Sequence, residues 1–308
     1  MNKPKVIVIC GPTASGKTGL SIELAKKING EIISADSMQI YKEMDIGTAK
    51  VTKEEMQGIK HYLIDIVSPD ERYSVADFKK DAENSIEEIL KKNKVPILVG
   101  GTGLYIDSVI KGIEYNEINT DLKYREKLEE IAEKEGLDKL YKMAMQIDKN
   151  ATEKISSNDK KRILRVLEIY KSTGKTKTEL EIESRKKESE YSFYVFGTEL
   201  DRKKLYEKIN LRVDKMIEDG LVEEVKRIIE KYKSFPTSMQ GLGYKEIRGY
   251  LEGNFTKEEA IEKIKMETRR YAKRQITWFK RNKNIIWLDM QDSNVMQNHL
   301  NTILEVIR

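Results

Sequence analysis

A segment of eight residues near the start of the chain has the residue types of a phosphate-binding loop. It follows the β-branched run KVIVIC and consists of Gly11, Pro12, Thr13, Ala14, Ser15, Gly16, Lys17 and Thr18. Backbone N–H groups in such a glycine-rich turn surround phosphate oxygens, and the helix that follows adds its positive N-terminal end. Lys17 would neutralise phosphate charge, and the Thr18 hydroxyl would bind Mg²⁺. The alternative is a chance glycine turn, but the predicted order of strand, loop and helix argues against it.

A carboxylate follows the second predicted strand. In SADSMQIYKEMDIGTAK, residues 34–50, Asp36 and Ser37 come directly after a strand-like run. In a parallel sheet this end of the strand faces the same crevice as the glycine loop. Asp36 could therefore bind Mg²⁺ or act as a general base. The residues alone leave a second interpretation open, because Asp36 could also cap the turn that begins at DSMQ.

A third strand-like run ends in a second glycine turn, within LVGGTGLY at residues 98–105. Gly100 and Gly101 would let the backbone approach a ligand closely, and Thr102 offers a hydroxyl. A tight connection between a strand and a helix, without a ligand, would use the same residues.

Strand and helix patterns alternate through the first part of the chain. KVIVIC, GEIISAD and KVPILVGG are strand-like, whereas TGLSIELAKKI and SVADFKKDAENSIEEILKK have helical patterns. This alternation predicts an α/β fold, a P-loop NTPase-like parallel sheet flanked by helices.

The pattern changes to charged helical segments at about residue 116 and returns to strand character at YSFYVFGTEL, with NIIWLD as the last predicted strand. We therefore predict a catalytic core formed by residues 1–115 and 191–308, with an inserted helical domain at 116–190. The polar stretch GKTKTELEIESRKKESE at the end of this insertion is predicted to be mobile.

Composition limits the class of protein. The chain has 308 residues, of which 39% are hydrophobic and 35% charged, as in a helix-rich globular protein. No apolar run reaches the roughly 18 residues that span a membrane, and the N-terminus lacks a signal-peptide pattern, so we expect a cytoplasmic protein. Cys10, His61 and His299 are too few for an internal disulfide or a Cys/His zinc site.

Two stretches are strongly basic, KKRILR at 160–165 and METRRYAKRQITWFKRNKN at 266–284, whereas the net charge of the whole chain is only +5. Each could be a solvated helix face, but together they favour a polyanionic partner. Trp278 and Phe279 within the second stretch are interpreted as core residues.

These residues predict an Mg²⁺-dependent protein that binds phosphate, without identifying the reaction. A GTPase is disfavoured because the chain has no NKxD base-recognition motif. A small-molecule kinase remains open on this evidence.

Six ordered blocks resemble the bacterial tRNA dimethylallyltransferases, the tRNA isopentenyltransferases of the IPP transferase family. The blocks are GPTASGKT, ISADSMQIYKEMDIGTAK, HYLIDIVSPDERYSVADF, VGGTGLY, SNDKKRILRVLEIYKSTGK and YAKRQITWF. The resemblance implies that dimethylallyl diphosphate donates a five-carbon group to the exocyclic amine of the adenosine immediately 3′ of the anticodon. The loop would then hold the leaving diphosphate, and no phosphoryl group would move.

The resemblance also implies roles for individual residues. Asp36 would be the general base, Thr102 and Lys17 would lie at the reacting centre, and Thr18 would bind Mg²⁺. Residues 11–18 and Arg212 would bind the diphosphate. Contacts with tRNA are implied for Asp36, Ser37, Met38, Gln39, Thr102, Arg125, Lys161, Arg162, Ile163, Leu164, Arg165, Gln240, Gly241, Leu242, Gly243, Tyr244 and Lys245.

The implied partners are the anticodon stem-loop of tRNA, gripped by the helical insertion, and dimethylallyl diphosphate; no membrane or obligate protein partner is indicated. An adenylate isopentenyltransferase acting on free AMP is the second hypothesis, which the large basic insertion argues against. A small-molecule kinase and a non-enzymatic RNA-binding protein are the hypotheses from other classes.

Overall fold

A computed structural model of the protein describes residues 3–113, 121–185, 188–291 and 296–308. Its packing divides the chain into two compact units, one formed by Met1–Ile110 with Glu190–Arg308 and the other by Lys111–Ser189. The predicted start of the helical insertion at residue 116 lies outside the described residues.

The first unit is built on a parallel sheet, which confirms the predicted α/β fold. The strands of the described chain are β1 (Lys5–Cys10), β2 (Gly30–Ser34), β3 (His61–Tyr62), β4 (Val95–Gly100), β5 (Ser192–Glu199) and β6 (Ile286–Asp289). Their order is β3-β2-β4-β1-β5-β6, and every neighbouring pair is parallel. The chain therefore leaves the sheet after β4, forms the second unit, and returns as β5 beside β1.

Helices connect the strands and form the second unit. They are α1 (Lys17–Ile28), α2 (Lys53–Met56), α3 (Val75–Lys91), α4 (Gly103–Ile110), α5 (Leu122–Lys134), α6 (Leu137–Ile147), α7 (Lys149–Thr152), α8 (Lys160–Thr173), α9 (Lys177–Arg185), α10 (Arg202–Glu218), α11 (Leu221–Lys231), α12 (Tyr244–Leu251), α13 (Lys257–Phe279) and α14 (Met296–Ile307), with a 3₁₀ turn at Ser238–Gln240. None of the described helices is long and apolar enough to span a membrane.

Alternation along β1 explains how the sheet is buried on both faces. Val6 and Val8 pack with Phe78 of α3. Ile7 and Ile9 point the other way and pack with Leu20 of α1. Successive strand residues face opposite sides of a sheet, so a central strand covered by helices on both faces is a continuous apolar run. The apolar run KVIVIC therefore indicates a central strand that is covered on both faces.

The second unit has its own apolar core, with Leu128, Leu140, Ile163 and Leu167 among its buried members. Within the polar segment that the sequence predicts to be mobile, Lys177–Arg185 forms α9. Thr176 and Glu179 bond each other's backbone N–H groups at the start of this helix. The polar residues that suggested mobility thus act as helix caps.

Candidate functional site

The predicted phosphate loop connects β1 to α1 and is tied to β5. Gly11 has a φ of 150°, and a Cβ there would lie 2.3 Å from the Thr198 hydroxyl oxygen, so only glycine fits. The Ser15 hydroxyl donates to the Pro12 carbonyl at 2.8 Å and lies 2.6 Å from the Thr198 hydroxyl. These contacts fix the loop conformation from the side of β5.

A cavity of about 300 Å³ lies at the carboxyl ends of β1, β2 and β4. Residues 13–18 line it, together with Asp36, Gly100, Gly101 and Arg212. Gly11 and Pro12 are buried and do not line it. The structure therefore brings most of the predicted diphosphate residues to one place, where their role stays a prediction.

Lys17 is the central cation of this cavity. Its ammonium donates to the Pro12 carbonyl at 2.5 Å. Loss of solvation, and after it the positive charge of Arg212, lower the pKa of Lys17 to about 8, whereas the negative charge of Asp36 opposes the shift. An anion bound beside the ammonium would stabilise its charged form.

Arg212 of α10 also lines the cavity. Its guanidinium donates to the Thr13 hydroxyl at 3.4 Å and to the Thr48 carbonyl at 3.5 Å. Burial lowers the pKa of Arg212, and the charge of Asp36 raises it; a guanidinium nevertheless stays charged in proteins. With the exposed Lys208 also at the lining, the cavity suits a ligand with several negative charges.

Asp36 carries out the capping role that the sequence left open. Its Oδ1 accepts hydrogen bonds from the N–H groups of Met38 at 2.9 Å and Gln39 at 3.3 Å. This fixes the side chain at the end of β2 with its carboxylate at the cavity. Capping and base catalysis are therefore compatible, because Oδ1 holds the turn and Oδ2 takes none of the hydrogen bonds found among the described residues.

The second glycine turn, at the end of β4, packs against Ala35, which follows β2. A Cβ on Gly100 would lie 2.1 Å from the Ala35 carbonyl oxygen. The Thr102 N–H donates to that same oxygen at 3.2 Å, and the Thr102 hydroxyl accepts from the Ser37 N–H at 3.1 Å. Thr102 thus forms hydrogen bonds with Ala35 and Ser37, the residues on either side of Asp36. It does not itself line either described cavity.

Two residues of α13 complete the site and were not identified as site residues from the sequence. Gln275 accepts from the Thr13 N–H at 2.9 Å and donates to the Gly101 carbonyl at 3.0 Å, so it joins the two glycine turns. Tyr271 lines the cavity; burial and the charge of Asp36 raise its pKa to about 12. Both lie in the basic block YAKRQITWF, and their spacing of one helical turn could have placed them on one face.

A second cavity of about 330 Å³ adjoins the first. The residues that line both cavities are Thr13, Asp36, Thr48, Arg212 and Tyr271. Ser37, Met38, Gln240, Gly241, Leu242 and Lys245, all predicted to contact tRNA, line the second cavity alone. Gln39 lines the first. Asp36 therefore stands where two differently lined compartments meet.

Three predicted tRNA contacts need correction because their side chains are buried. Ile163 and Leu164 pack in the core of the second unit. Tyr244 is fully buried, and its hydroxyl donates to Glu224 at 2.6 Å. Gly243 takes part in the start of α12, where its N–H donates to Glu246. Ile163 and Leu164 both lie on the buried face of α8.

The cations of the second unit that are predicted to contact tRNA are accessible. Lys161, Arg162 and Arg165 are exposed on α8. Arg125 of α5 is part-exposed and lies 3.3 Å from a carboxylate oxygen of the buried Glu168. Their contact with RNA stays a prediction.

Trp278 and Phe279 behave as structural residues. Phe279 is buried, and the Trp278 indole N–H donates to Asp107 at 3.0 Å. The Trp278 ring would collide with any Cβ on Gly103, which accounts for the last glycine of VGGTGLY. Phe279 is therefore not free to stack on a base, and Trp278 is held against α4.

Comparisons with known proteins give consistent results over nearly the full length. The family model described as IPP transferase matches residues 39–282. A tRNA dimethylallyltransferase of Acetivibrio thermocellus is 52% identical over 288 residues, which cover 93% of this chain and 92% of the relative. A tRNA dimethylallyltransferase of Lachnoclostridium phytofermentans is 50% identical over 303 residues, covering 98% of this chain and 97% of the relative.

Solved structures resemble the chain as well. The full-length tRNA isopentenylpyrophosphate transferase of Bacillus halodurans has a TM-score of 0.74 at 43% identity, covering 98% of this chain and 96% of its own. A eukaryotic dimethylallyltransferase acting on tRNA has a TM-score of 0.82 at 33% identity, covering 99% of this chain and 79% of its own.

The lowered pKa of Lys17 predicts how anion binding depends on pH. Inorganic pyrophosphate in the cavity would raise the pKa of Lys17. Above a pH of about 8, Lys17 would therefore take up a proton when pyrophosphate binds, and the affinity for pyrophosphate would fall as pH rises. Calorimetric titrations across this pH range should show the fall. Because pyrophosphate itself titrates, the Lys17→Met variant is the reference. Equal pH slopes for the two proteins would contradict the assignment of Lys17.

Proposed function

The chain belongs to the IPP transferase family, and from that we propose that it is a tRNA dimethylallyltransferase. It transfers the dimethylallyl group of dimethylallyl diphosphate to N6 of the adenosine 3′-adjacent to the anticodon, and releases diphosphate. The observation that carries this proposal is the position of Asp36, which lines both a cationic cavity and the adjoining second cavity. A donor in the first cavity and an acceptor base in the second would meet beside a carboxylate.

The first cavity suits the diphosphate. Its charge grows as the carbon–oxygen bond breaks, and loop N–H groups, Lys17 and Arg212 would stabilise that charge where it develops. Fixed donors cost no reorganisation during the reaction. The same kind of loop would hold the phosphates of a nucleotide in a kinase. The two reactions differ in the bond that breaks, which is carbon–oxygen in this transfer and phosphorus–oxygen in a kinase.

The residues present fit Mg²⁺. This ion prefers oxygen ligands and usually keeps water while binding one or two protein groups and substrate phosphates. Thr18, which carries a hydroxyl oxygen, lies in the cavity lining, and the described residues hold no cluster of three His, Cys, Asp or Glu that could form an all-protein cage. Bound through Thr18 and the diphosphate, Mg²⁺ would add charge neutralisation to the leaving group.

The transfer step follows from this placement. The bond between the allylic carbon and the diphosphate oxygen breaks, and its electron pair leaves with the diphosphate. The lone pair of N6 forms the new carbon–nitrogen bond. N6 is a weak nucleophile because its lone pair delocalises into the ring, so Asp36 assists by accepting its proton. Tyr271 remains a neutral phenol at this junction because its pKa is raised to about 12.

The acceptor side suits a base taken out of its stack. An adenine within an anticodon loop must be extruded to reach a buried donor, and proteins read RNA mainly at such loops. Met38, Gln240 and Leu242 would contact the extruded base or its neighbours in the second cavity. In the helical unit, Arg125, Lys161, Arg162 and Arg165 would bind RNA phosphates.

A labelled-donor assay tests the proposed function. Dimethylallyl diphosphate labelled in its carbon chain is incubated with protein, Mg²⁺ and either unmodified tRNA or AMP. The proposal predicts label on the adenosine beside the anticodon of tRNA. Label on AMP alone would identify an adenylate isopentenyltransferase, and ATP turnover with no label transfer would favour a kinase.

Replacing Asp36 tests the general base. In Asp36→Asn the amide oxygen can still accept the two turn N–H groups, so the fold should persist while turnover falls by about 10²–10⁴-fold. Single-turnover rates with saturating donor and tRNA measure the effect, with melting temperature and tRNA affinity as controls. An unchanged rate would show that Asp36 is not the base.

Replacing Arg165 tests a phosphate contact. Arg165→Ala should weaken tRNA binding and reduce the slope of log affinity against log salt by about 0.7–0.9 for the lost contact. Lys139→Ala is a matched control, because Lys139 is an exposed cation of the same unit that pairs with Glu135 at 3.5 Å. The same slope for wild type and Arg165→Ala would exclude the contact.

A further inference from the structure

Glu224 of α11 is a buried carboxylate that holds three consecutive backbone N–H groups. It is only 1% exposed. Its two oxygens accept from the N–H groups of Asp45 at 3.0 Å, Ile46 at 2.8 Å and Gly47 at 3.1 Å. The Tyr244 hydroxyl donates a fourth bond. No ion pair joins Glu224 to a Lys or Arg of the described chain.

The hydrogen bonds of this contact account for the burial of the Glu224 carboxylate. A carboxylate buried without a counter-ion is costly unless hydrogen bonds satisfy it. Here most of its acceptor capacity is met by backbone amides, which form a concave anion site of the kind that short turns produce. Bonds from N–H groups to a charged acceptor are stronger than neutral ones. The turn at 45–47 is therefore fixed to α11 at three successive residues.

A second buried side chain, Lys50, holds the same segment. The Lys50 ammonium donates to the Tyr41 carbonyl at 2.7 Å and contacts Asp45 at 2.6 Å and Asp65 at 2.5 Å. A Cβ on Gly47 would lie 2.5 Å from the Tyr244 ring, so the turn packs directly on α12. Residues 45–50, which we call the carbonyl shelf, thus have both ends anchored outside the cavity.

The middle of the carbonyl shelf contacts site residues. The Thr48 carbonyl accepts from the Arg212 guanidinium at 3.5 Å and from the Gln39 amide at 3.3 Å. Gln39 also donates to the Ala49 carbonyl at 3.4 Å. Thr48 lines both cavities. Because its carbonyl accepts from the Arg212 guanidinium, a shift of this carbonyl would move Arg212 relative to the phosphate loop.

We propose that Glu224 is a positioning residue for diphosphate binding, which acts through the carbonyl shelf to orient Arg212. This inference rests on the proposed function, because Arg212 is taken to contact the diphosphate. Glu224 lies outside both cavity linings; its effect reaches the ligand through backbone amides 45–47 and the Thr48 carbonyl. Misorienting a charged donor by a small distance is enough to weaken a preorganised anion site.

Binding of inorganic pyrophosphate to four proteins tests the inference without requiring transfer. The proteins are wild type, Glu224→Gln, Arg212→Ala and the double variant. The side-chain amide that Glu224→Gln introduces presents an NH₂ group to a backbone donor or to Tyr244, so the shelf should loosen. We expect Glu224→Gln to weaken pyrophosphate binding by about tenfold, the size of one lost bond to a charged group. In the Arg212→Ala background the same change should have less than about a twofold effect, because coupled residues are not additive.

A matched variant separates positioning from general destabilisation. Glu31 is 4% exposed and is held by Lys94 and Tyr62 at the other end of β2 from Asp36. Glu31→Gln should lower the melting temperature without changing pyrophosphate affinity. If Glu224→Gln does not fold, Glu224→Asp, which keeps the charge but shortens the reach, is measured in the same cycle.

The outcomes separate the two proposals. Equal loss of affinity from the Glu224 change in both backgrounds, or no loss at all, would overturn the positioning role. Coupling to Arg212 in a protein that binds pyrophosphate but transfers no dimethylallyl group to tRNA would support the positioning role and reject the proposed reaction.

Discussion

Concentrated positive charge in a partly dehydrated cavity is the constraint on which the site depends. Lys17 and Arg212 line one small space, and loss of solvation together with Arg212 lowers the pKa of Lys17 to about 8. Such an arrangement destabilises the empty protein and favours a polyanion that restores the balance. The glycine loop, the strand order and the contacts from α13 all serve to hold these charges at the carboxyl edge of the sheet, where open parallel sheets bind ligands.

The second requirement is a carboxylate close to the cations that keeps one oxygen able to accept a proton. Asp36 meets it because the turn after β2 fixes one of its oxygens. The neighbouring cavity then gives an acceptor access from a different side than the donor. In the proposed reaction the donor and the acceptor would therefore meet beside the Asp36 carboxylate.

Local features of the site were predictable, whereas contacts between distant segments were not. The loop at 11–18, the turn at Asp36 and the glycines of β4 are short-range patterns, and each lies where a parallel sheet must place it. Gln275 and Glu224 were not identified, because their roles appear only when α13 and α11 pack against loops more than a hundred residues away. Ile163 and Leu164 were wrongly predicted to contact RNA, because membership of a matching block does not distinguish the buried face of α8 from its exposed face. Helical periodicity contains that information.

The central claim is that the loop holds a leaving diphosphate and that the bond to carbon, not a bond to phosphorus, is broken. Dimethylallyl diphosphate with ¹⁸O in the bridge between carbon and phosphorus tests it most directly. After a single turnover with tRNA, mass spectrometry of the products locates the isotope. Cleavage between carbon and oxygen predicts that all the ¹⁸O leaves in the diphosphate. Isotope retained on the five-carbon product would mean cleavage between phosphorus and oxygen, and would contradict it.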